Sequence, residues 1–400
     1  MPNLLLKMSA PQKQFFLKRL ASPSNLLSAI RNLSCAALLL FEVVAGSTPA
    51  SAQTSTLYRL NKDSTFQQGC FPPCLCPIMI AVPVKGTFVL TPTGFDGLFN
   101  SYAVTDVNWL VSIGGTDTIV TGSGTYRFGG EFALQQQLSL DLQVGGDKVQ
   151  HFDSGLVTGP APFPDIKVTI SVNGQVCFDT VFEVSASPVP LDQIHPYSLL
   201  DGSTFQRGCF EACDCAVGPL DPIIGTFALV PLDTTPLFRE FAVVNVRWLA
   251  LDPSDRIPVR GFGTYKVGGE FAVQHQLKLL LKVASEDSAL FDRGLVPGGG
   301  NFPRIDIPIS ISGAVCFDTV IDIHAGPVVI SITKGSLNNS NNLLQMRMSG
   351  PSGSDVVLEA SANLQAWTPV QTNTLALDGV DLSVPLSTNQ CQFFRARLVP

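Results

Sequence analysis

Charge is scarce in this chain: Asp, Glu, Lys and Arg make up 14% of its 400 residues, against the quarter or so usual in soluble domains. Exposed helices draw on Glu, Lys and Arg for their wet face, so an architecture of surface helices is excluded. Histidine is scarcer still, with four residues, and there are only three tryptophans and five tyrosines. That leaves few groups for general acid–base work near neutral pH. Basic residues are outnumbered by acidic ones, 25 to 32, which makes nucleic acid and anionic membrane poor partners.

What is present suits strands and turns. Hydrophobic residues reach 45%, with 34 Gly and 29 Pro, enough for two to four domains, each with its own core. Residues 1–52 read as a signal peptide. Lys7, Lys13, Lys18, Arg19 and Arg31 form a positive region, "LSCAALLLFEVVAG" is the apolar segment, and Ala50–Ala52 end in a small-residue cleavage site. The apolar run is too short to span a bilayer and contains Glu42. Cleavage after Ala52 removes five basic residues and one acidic, leaving a net formal charge of about −11. The expected location is outside the cell, at the cell surface or in the periplasm, with no membrane span in the mature chain.

One repeat dominates the rest. Tyr58 to Pro188 aligns on Tyr197 to Pro327 at a constant offset of 139 without a gap, and 60 of 131 positions are identical. Shared stretches include "STFQ", "GTF", "GTY", "GGEFA" and "VCFDTV". The expected domains are β-module 1 over 53–188, a linker over 189–196, β-module 2 over 197–327 and a small C-terminal β-sandwich over 328–400. "QLSLDLQV" and "DIKVTISV" alternate apolar and polar residues, the period-two pattern of an antiparallel sheet with one wet face. The fold class is therefore all-β: two tandem antiparallel modules of about seven or eight strands, as sandwich or barrel, followed by the small tail.

Each module holds four cysteines, Cys70, Cys74, Cys76 and Cys177 in the first and Cys209, Cys213, Cys215 and Cys316 in the second; Cys391 is left over. An even set in an exported chain predicts disulfides. A zinc site would use the same thiolates, but three crowd into seven residues and the fourth lies 101 residues beyond Cys76, unlike paired C-x-x-C knuckles. Cys74 with Cys76 is disfavoured as a strained ring. The expected pattern joins one of the three clustered cysteines to Cys177 and pairs the other two locally, with Cys209, Cys213, Cys215 and Cys316 alike.

The repeat also screens for chemistry, because a site built into the module should survive in both copies. His151, His195, His275 and His324 have no histidine counterparts and are expected to be scattered over the surface. Carboxylates do survive in pairs: Glu131 with Glu270, Asp153 with Asp292, and Asp179 with Asp318. They are candidates for a calcium site or a paired-carboxylate hydrolase, set against a plain role in binding backbone N–H groups at turns. Phe88, Trp109 and Phe132, with Phe227, Trp248 and Phe271, are expected in the core. No catalytic residue, cofactor site or metal site is assigned.

The C-terminal segment, with "GPSG", "VLEAS", "NLQAW", "TPV" and "FFRARL", resembles the small β-sandwich tails of secreted proteins of Verrucomicrobia and Planctomycetes. The tandem C-x-x-x-C-x-C module is likewise similar to uncharacterised secreted proteins of those groups. The resemblance implies compartment and little more. The expected function is a secreted, non-enzymatic protein with a binding, adhesive or envelope-structural role toward an extracellular polymer or surface ligand. A polysaccharide hydrolase and a calcium- or metal-binding module are the alternatives.

Overall fold

The computed structural model of the chain describes residues 55–75, 81–113, 116–159, 162–210, 213–252, 255–338, 343–351, 354–376, 379–386 and 392–399. The expected signal peptide, Cys76 and Cys391 lie outside them. The protein is all-β, and the only helical turn among these residues is a 3-10 turn at Leu191–Gln193.

The first module contains β1 (Thr56–Leu60), β2 (Thr65–Phe71), β3 (Val82–Phe95), β4 (Phe99–Ile113), β5 (Thr116–Gly129), β6 (Gln135–Val144), β7 (Gln150–Asp153), β8 (Val157–Thr158), β9 (Ile166–Ser171) and β10 (Cys177–Pro188). The second contains β11 (His195–Leu199), β12 (Thr204–Cys209), β13 (Val217–Thr234), β14 (Phe238–Leu251), β15 (Arg256–Gly268), β16 (Gln274–Val283), β17 (Ala289–Phe291), β18 (Val296–Pro297), β19 (Ile305–Ser310) and β20 (Phe317–Pro327). Each module thus has ten strands where seven or eight are expected. The difference comes from interruptions: β1 and β2 both pair with β3 and β10, so they lie end to end as two halves of one strand position. The short β7 and β8 likewise share β6.

The two sheets repeat one strand order, with all pairings antiparallel. In the first, the ladder runs from β2 through β3, β4, β5, β6 and β7 to β9, and β9 pairs with β10, which returns to β2. The pairing closes on itself as a barrel, and a closed barrel leaves no long sheet edge. Its seam is thin. β7 meets β9 at one register pair, Asp153 with Ser171, and in the second module the Asp292 N–H donates to the Ser310 carbonyl at 3.0 Å.

Period-two patterning decides what fills each barrel. Leu138, Leu140 and Leu142 of β6 and Ile166, Val168 and Ile170 of β9 point inward, with polar residues between them facing out. Trp109 edges Phe88 at 6.2 Å and Phe182 at 5.5 Å, and Trp248 edges Phe227 at 6.0 Å. These four aromatics, Phe88, Trp109, Phe227 and Trp248, are buried as the sequence predicts. Each such side chain contributes about 1.5–3 kcal/mol of burial free energy.

The tail forms two three-stranded sheets from β21 (Ser331–Asn338), β22 (Leu343–Ser349), β23 (Asp355–Ser361), β24 (Thr368–Thr374), β25 (Val380–Pro385) and β26 (Phe393–Leu398), in the orders β21-β22-β25 and β24-β23-β26. Leu344, Met346, Met348, Val356, Leu358 and Leu382 form the core between them.

The modules touch through unlike faces. Val189 and Ile194 of the connecting segment pack with Ala228, Val230, Ala242 and Val244 on the outside of β13 and β14, against Leu57 of the first module. Around this apolar patch Arg59 donates to the Pro231 carbonyl at 2.8 Å and Asn108 to the Gly263 carbonyl at 2.9 Å. The buried Glu240 carboxylate pairs with Lys85 and, at 3.3 Å, with Lys266.

Candidate functional site

The cysteines form disulfides. Cys74 joins Cys177 and Cys213 joins Cys316, each across 103 residues, and Cys209 joins Cys215. Cys70, the equivalent of Cys209, is also disulfide-bonded, and Cys76 lies outside the described residues. The middle cysteine of each cluster thus takes the long crosslink, and the flanking pair of the second module closes locally, as expected. With their sulfurs bonded to each other they offer no thiolate to a metal. No helix among the described residues is long and apolar enough to cross a membrane. The disulfides are consistent with an extracellular or periplasmic protein.

The repeated carboxylates do not converge. Asp179 is buried, and its Oδ1 accepts N–H groups from Val172, Asn173 and Thr180 while Oδ2 accepts that of Gln175. Asp318 repeats the arrangement with Ile311, Ser312, Ala314 and Thr319. Four backbone donors occupy the oxygens that a metal or substrate would need, so each carboxylate organises its β-hairpin. Asp153 accepts two bonds from the Gln137 amide, at 2.9 and 3.0 Å, and one from the Gly155 N–H at 2.5 Å. Burial pushes its carboxyl up, but these donors more than offset that and leave it lowered. Asp292 is held by Gln276 and Gly294 in the same way. Glu131 and Glu270 stand exposed on the β5–β6 and β15–β16 loops. No cluster of three potential metal ligands occurs among the described residues.

Two expectations are overturned. His275 is fully buried instead of lying on the surface. It occupies an inward position of β16, two residues before Leu277, and its Nδ1 meets the Tyr265 hydroxyl at 2.6 Å. Burial lowers the His275 pKa and raises that of Tyr265, so the pair is neutral. In the first module Tyr126 donates to Gln136 at 3.2 Å in the same place. The alternation read back from Leu277 carries the signal for this buried position.

Phe132 and Phe271 are not core residues: they are 95% and 94% exposed. Both sit in the Gly-Gly-Glu-Phe-Ala loop, where period two no longer applies. A Cβ on Gly130 or Gly269 would approach the Ala133 or Ala272 carbonyl to 2.2 or 2.1 Å, so the glycines shape a loop that carries the ring outward. Neighbouring turns join it. The Gly130 N–H donates to the Leu98 carbonyl and that of Gly159 to Leu134, with Leu98, Leu134 and Leu156 exposed beside Phe132. In the second module Leu237, Val273 and Leu295 are exposed in the equivalent places, and Gly269 and Gly298 make the same bonds. Each barrel therefore ends in an apolar tip built from three hydrogen-bonded loops.

One histidine has the partners of a hydrolytic triad. His151 Nδ1 is 2.8 Å from Asp141, and its Nε2 is 3.4 Å from the Ser139 hydroxyl. The group lies on an open sheet face, with the His151 side chain 62% exposed. A triad needs oxyanion donors in a site that excludes water, whereas β6 is paired with both β5 and β7 here. In the second module the positions are Lys278, Leu280 and Leu290.

A cleft of about 1600 Å³ lies between the second module and the tail. Its floor is the outer face of β13 to β15, and its far wall includes Arg395 and Arg397 of β26. Comparison with protein-family models, with curated proteins and with solved structures found no match for this chain.

Proposed function

We propose that the protein is an exported, non-enzymatic binding protein that holds an extracellular polymer or surface through its two barrel tips. The observation carrying this reading is the near-complete exposure of Phe132 and Phe271 in a pentapeptide that both copies of a tandem repeat retain. An exposed Phe gains nothing in folding, since its area stays in water. Retaining it twice, in the same built loop, accords with contact to something outside the chain. Two weak contacts on one chain act by avidity, which multiplies affinity about 10²- to 10⁴-fold when both engage one surface. Export is supported by the N-terminal segment and by the disulfides.

The test is retention of the oxidised full chain on insoluble cellulose and chitin and on neutral lipid vesicles. F132A and F271A each reduce retention about 100-fold by breaking bivalency, and the double variant abolishes it, with melting temperatures unchanged. Equal retention of wild type and double variant on every surface overturns the reading.

A further inference from the structure

The floor of the cleft carries Arg247, Arg256 and Arg260, and Lys282 of β16 continues their row beside it. Arg247 of β14 lies directly opposite Arg260 of β15, and Arg260 lies opposite Lys282 of β16. All three side chains are exposed on the outer face of the sheet. Like charges directly opposed on adjacent strands destabilise a sheet. The first module avoids this, with Asn108, Thr121 and Gln143 at the equivalent positions. Arg256, four residues along β15 from Arg260, adds a fourth cation where the first module has Asp117.

Arg247, Arg256, Arg260 and Lys282 form no side-chain hydrogen bond or ion pair among the described residues. The carboxylate that Arg247 influences is Asp106 of the first module. Across the cleft Arg395 and Arg397 share one carboxylate, Glu359, at 2.7 and 3.3 Å, and Asp355 lines the same wall. The adjacent cations of the floor give a local positive potential in a chain of net charge −7.

We infer that the cleft between the second module and the tail binds an acidic polysaccharide, with Arg247, Arg256 and Arg260 of its lining, and Lys282 next to Arg260 on β16, pairing to its carboxylate or sulfate groups. Size favours a polymer, because the cleft volume of about 1600 Å³ exceeds the roughly 300–1,000 Å³ of small-ligand sites. Spacing agrees. Strands about 4.8 Å apart place the three cations over about 10 Å, and Arg256 extends the array by about 13 Å along β15, so successive anionic groups on one chain can be met together. Single-stranded nucleic acid is bound on aromatic platforms, but the aromatics that line the cleft, Tyr197, Phe227, Phe241, Trp248 and Phe302, belong to the barrel core or pack against it. The site is separate from the loop tips, and each proposal fails independently of the other.

Binding of the oxidised full chain is measured on immobilised polygalacturonate, dextran sulfate, neutral dextran and a single-stranded DNA oligomer. Both acidic polysaccharides bind, one reporting carboxylate and the other sulfate recognition, and neutral dextran does not. Binding weakens as salt rises from about 50 to 200 mM. R247Q/R260Q/K282Q weakens it about tenfold or more with a melting temperature equal to or above wild type, R260K retains it, and F132A/F271A leaves it unchanged. Any of three results overturns the inference: no binding to either acidic polysaccharide, equal binding by the triple variant, or DNA bound more tightly than both.

Discussion

The outer faces of the two barrels have one strand pattern and opposite surroundings. On β13 and β14 of the second module Val230, Ala242 and Val244 are buried under the first module and the connecting segment. The same places on β3 and β4 hold Thr91, Ala103 and Thr105, none of them buried. Glu240, clamped by Lys85 and Lys266 at the contact, stands where the first module has Ser101. The interiors differ far less, with Tyr58, Phe88 and Trp109 matched by Tyr197, Phe227 and Trp248. The two copies therefore diverge most by what covers their outer faces.

Variants that break the likeness of the two interiors have the largest expected effects. Removing the long crosslink by C74A/C177A, or by C213A/C316A, costs about 4–5 kcal/mol in the chain-entropy model. Both bonds close loops of the same 103-residue separation, so urea midpoints should fall equally. A loss in one module only would show that local strand contacts, rather than loop closure, set the value of the bond.

Exchanging the outer faces has a middle effect. V230T/V244T buries two hydroxyls in the intermodule patch and costs about 2 kcal/mol, read as a lower first transition in denaturant and faster proteolysis within Val189–Ile194. The reverse exchange, T91V/T105V, acts on an open face and shifts stability by less than about 0.5 kcal/mol. Equal effects from the two would remove the contact as the source of the difference.

The smallest effect separates the two modules by pH. Burial lowers the His275 pKa, so above about pH 6.5 the folded and unfolded chains are both neutral there and stability is full. As the pH falls below that value the unfolded chain takes up a proton that the folded barrel resists, and stability drops. H275Q, which installs the residue that the first module uses, should flatten the dependence of melting temperature between about pH 7.5 and 5.5. An unchanged slope would assign the dependence to other groups.

Strand positions and barrel interiors were legible because period-two alternation is a local property. Leu138, Leu140 and Leu142 declare their face without knowledge of any neighbour. Parity makes a disulfide set with one long and one local bond legible, but not that Cys74 and Cys213 take the long bonds. Loop residues obey no such period. Phe132 looked like core because Phe usually is, and only the built Gly-Gly turn turns it outward. His275 was missed although the alternation extends to it, because residue type was weighed above position. The cationic row could not be found by spacing: Arg247, Arg260 and Lys282 become neighbours only through the register of three strands. Asp179 and Asp318 bind backbone N–H groups at their turns, one of the roles the sequence leaves open for a carboxylate beside a turn.

The seams of the barrels have a consequence for how these modules come apart. Each ring is held shut at one place by a single backbone contact, Asp153 with Ser171 or Asp292 with Ser310, and nearly every other boundary carries a longer ladder. Opening therefore starts beside Asp153 and Asp292, the two carboxylates that bind Gln137 and Gln276 across β6 and β16. Those side-chain bonds run to β6 and β16, away from the seam, so the backbone contact with Ser171 or Ser310 is what keeps each barrel from becoming an open sheet with free edges.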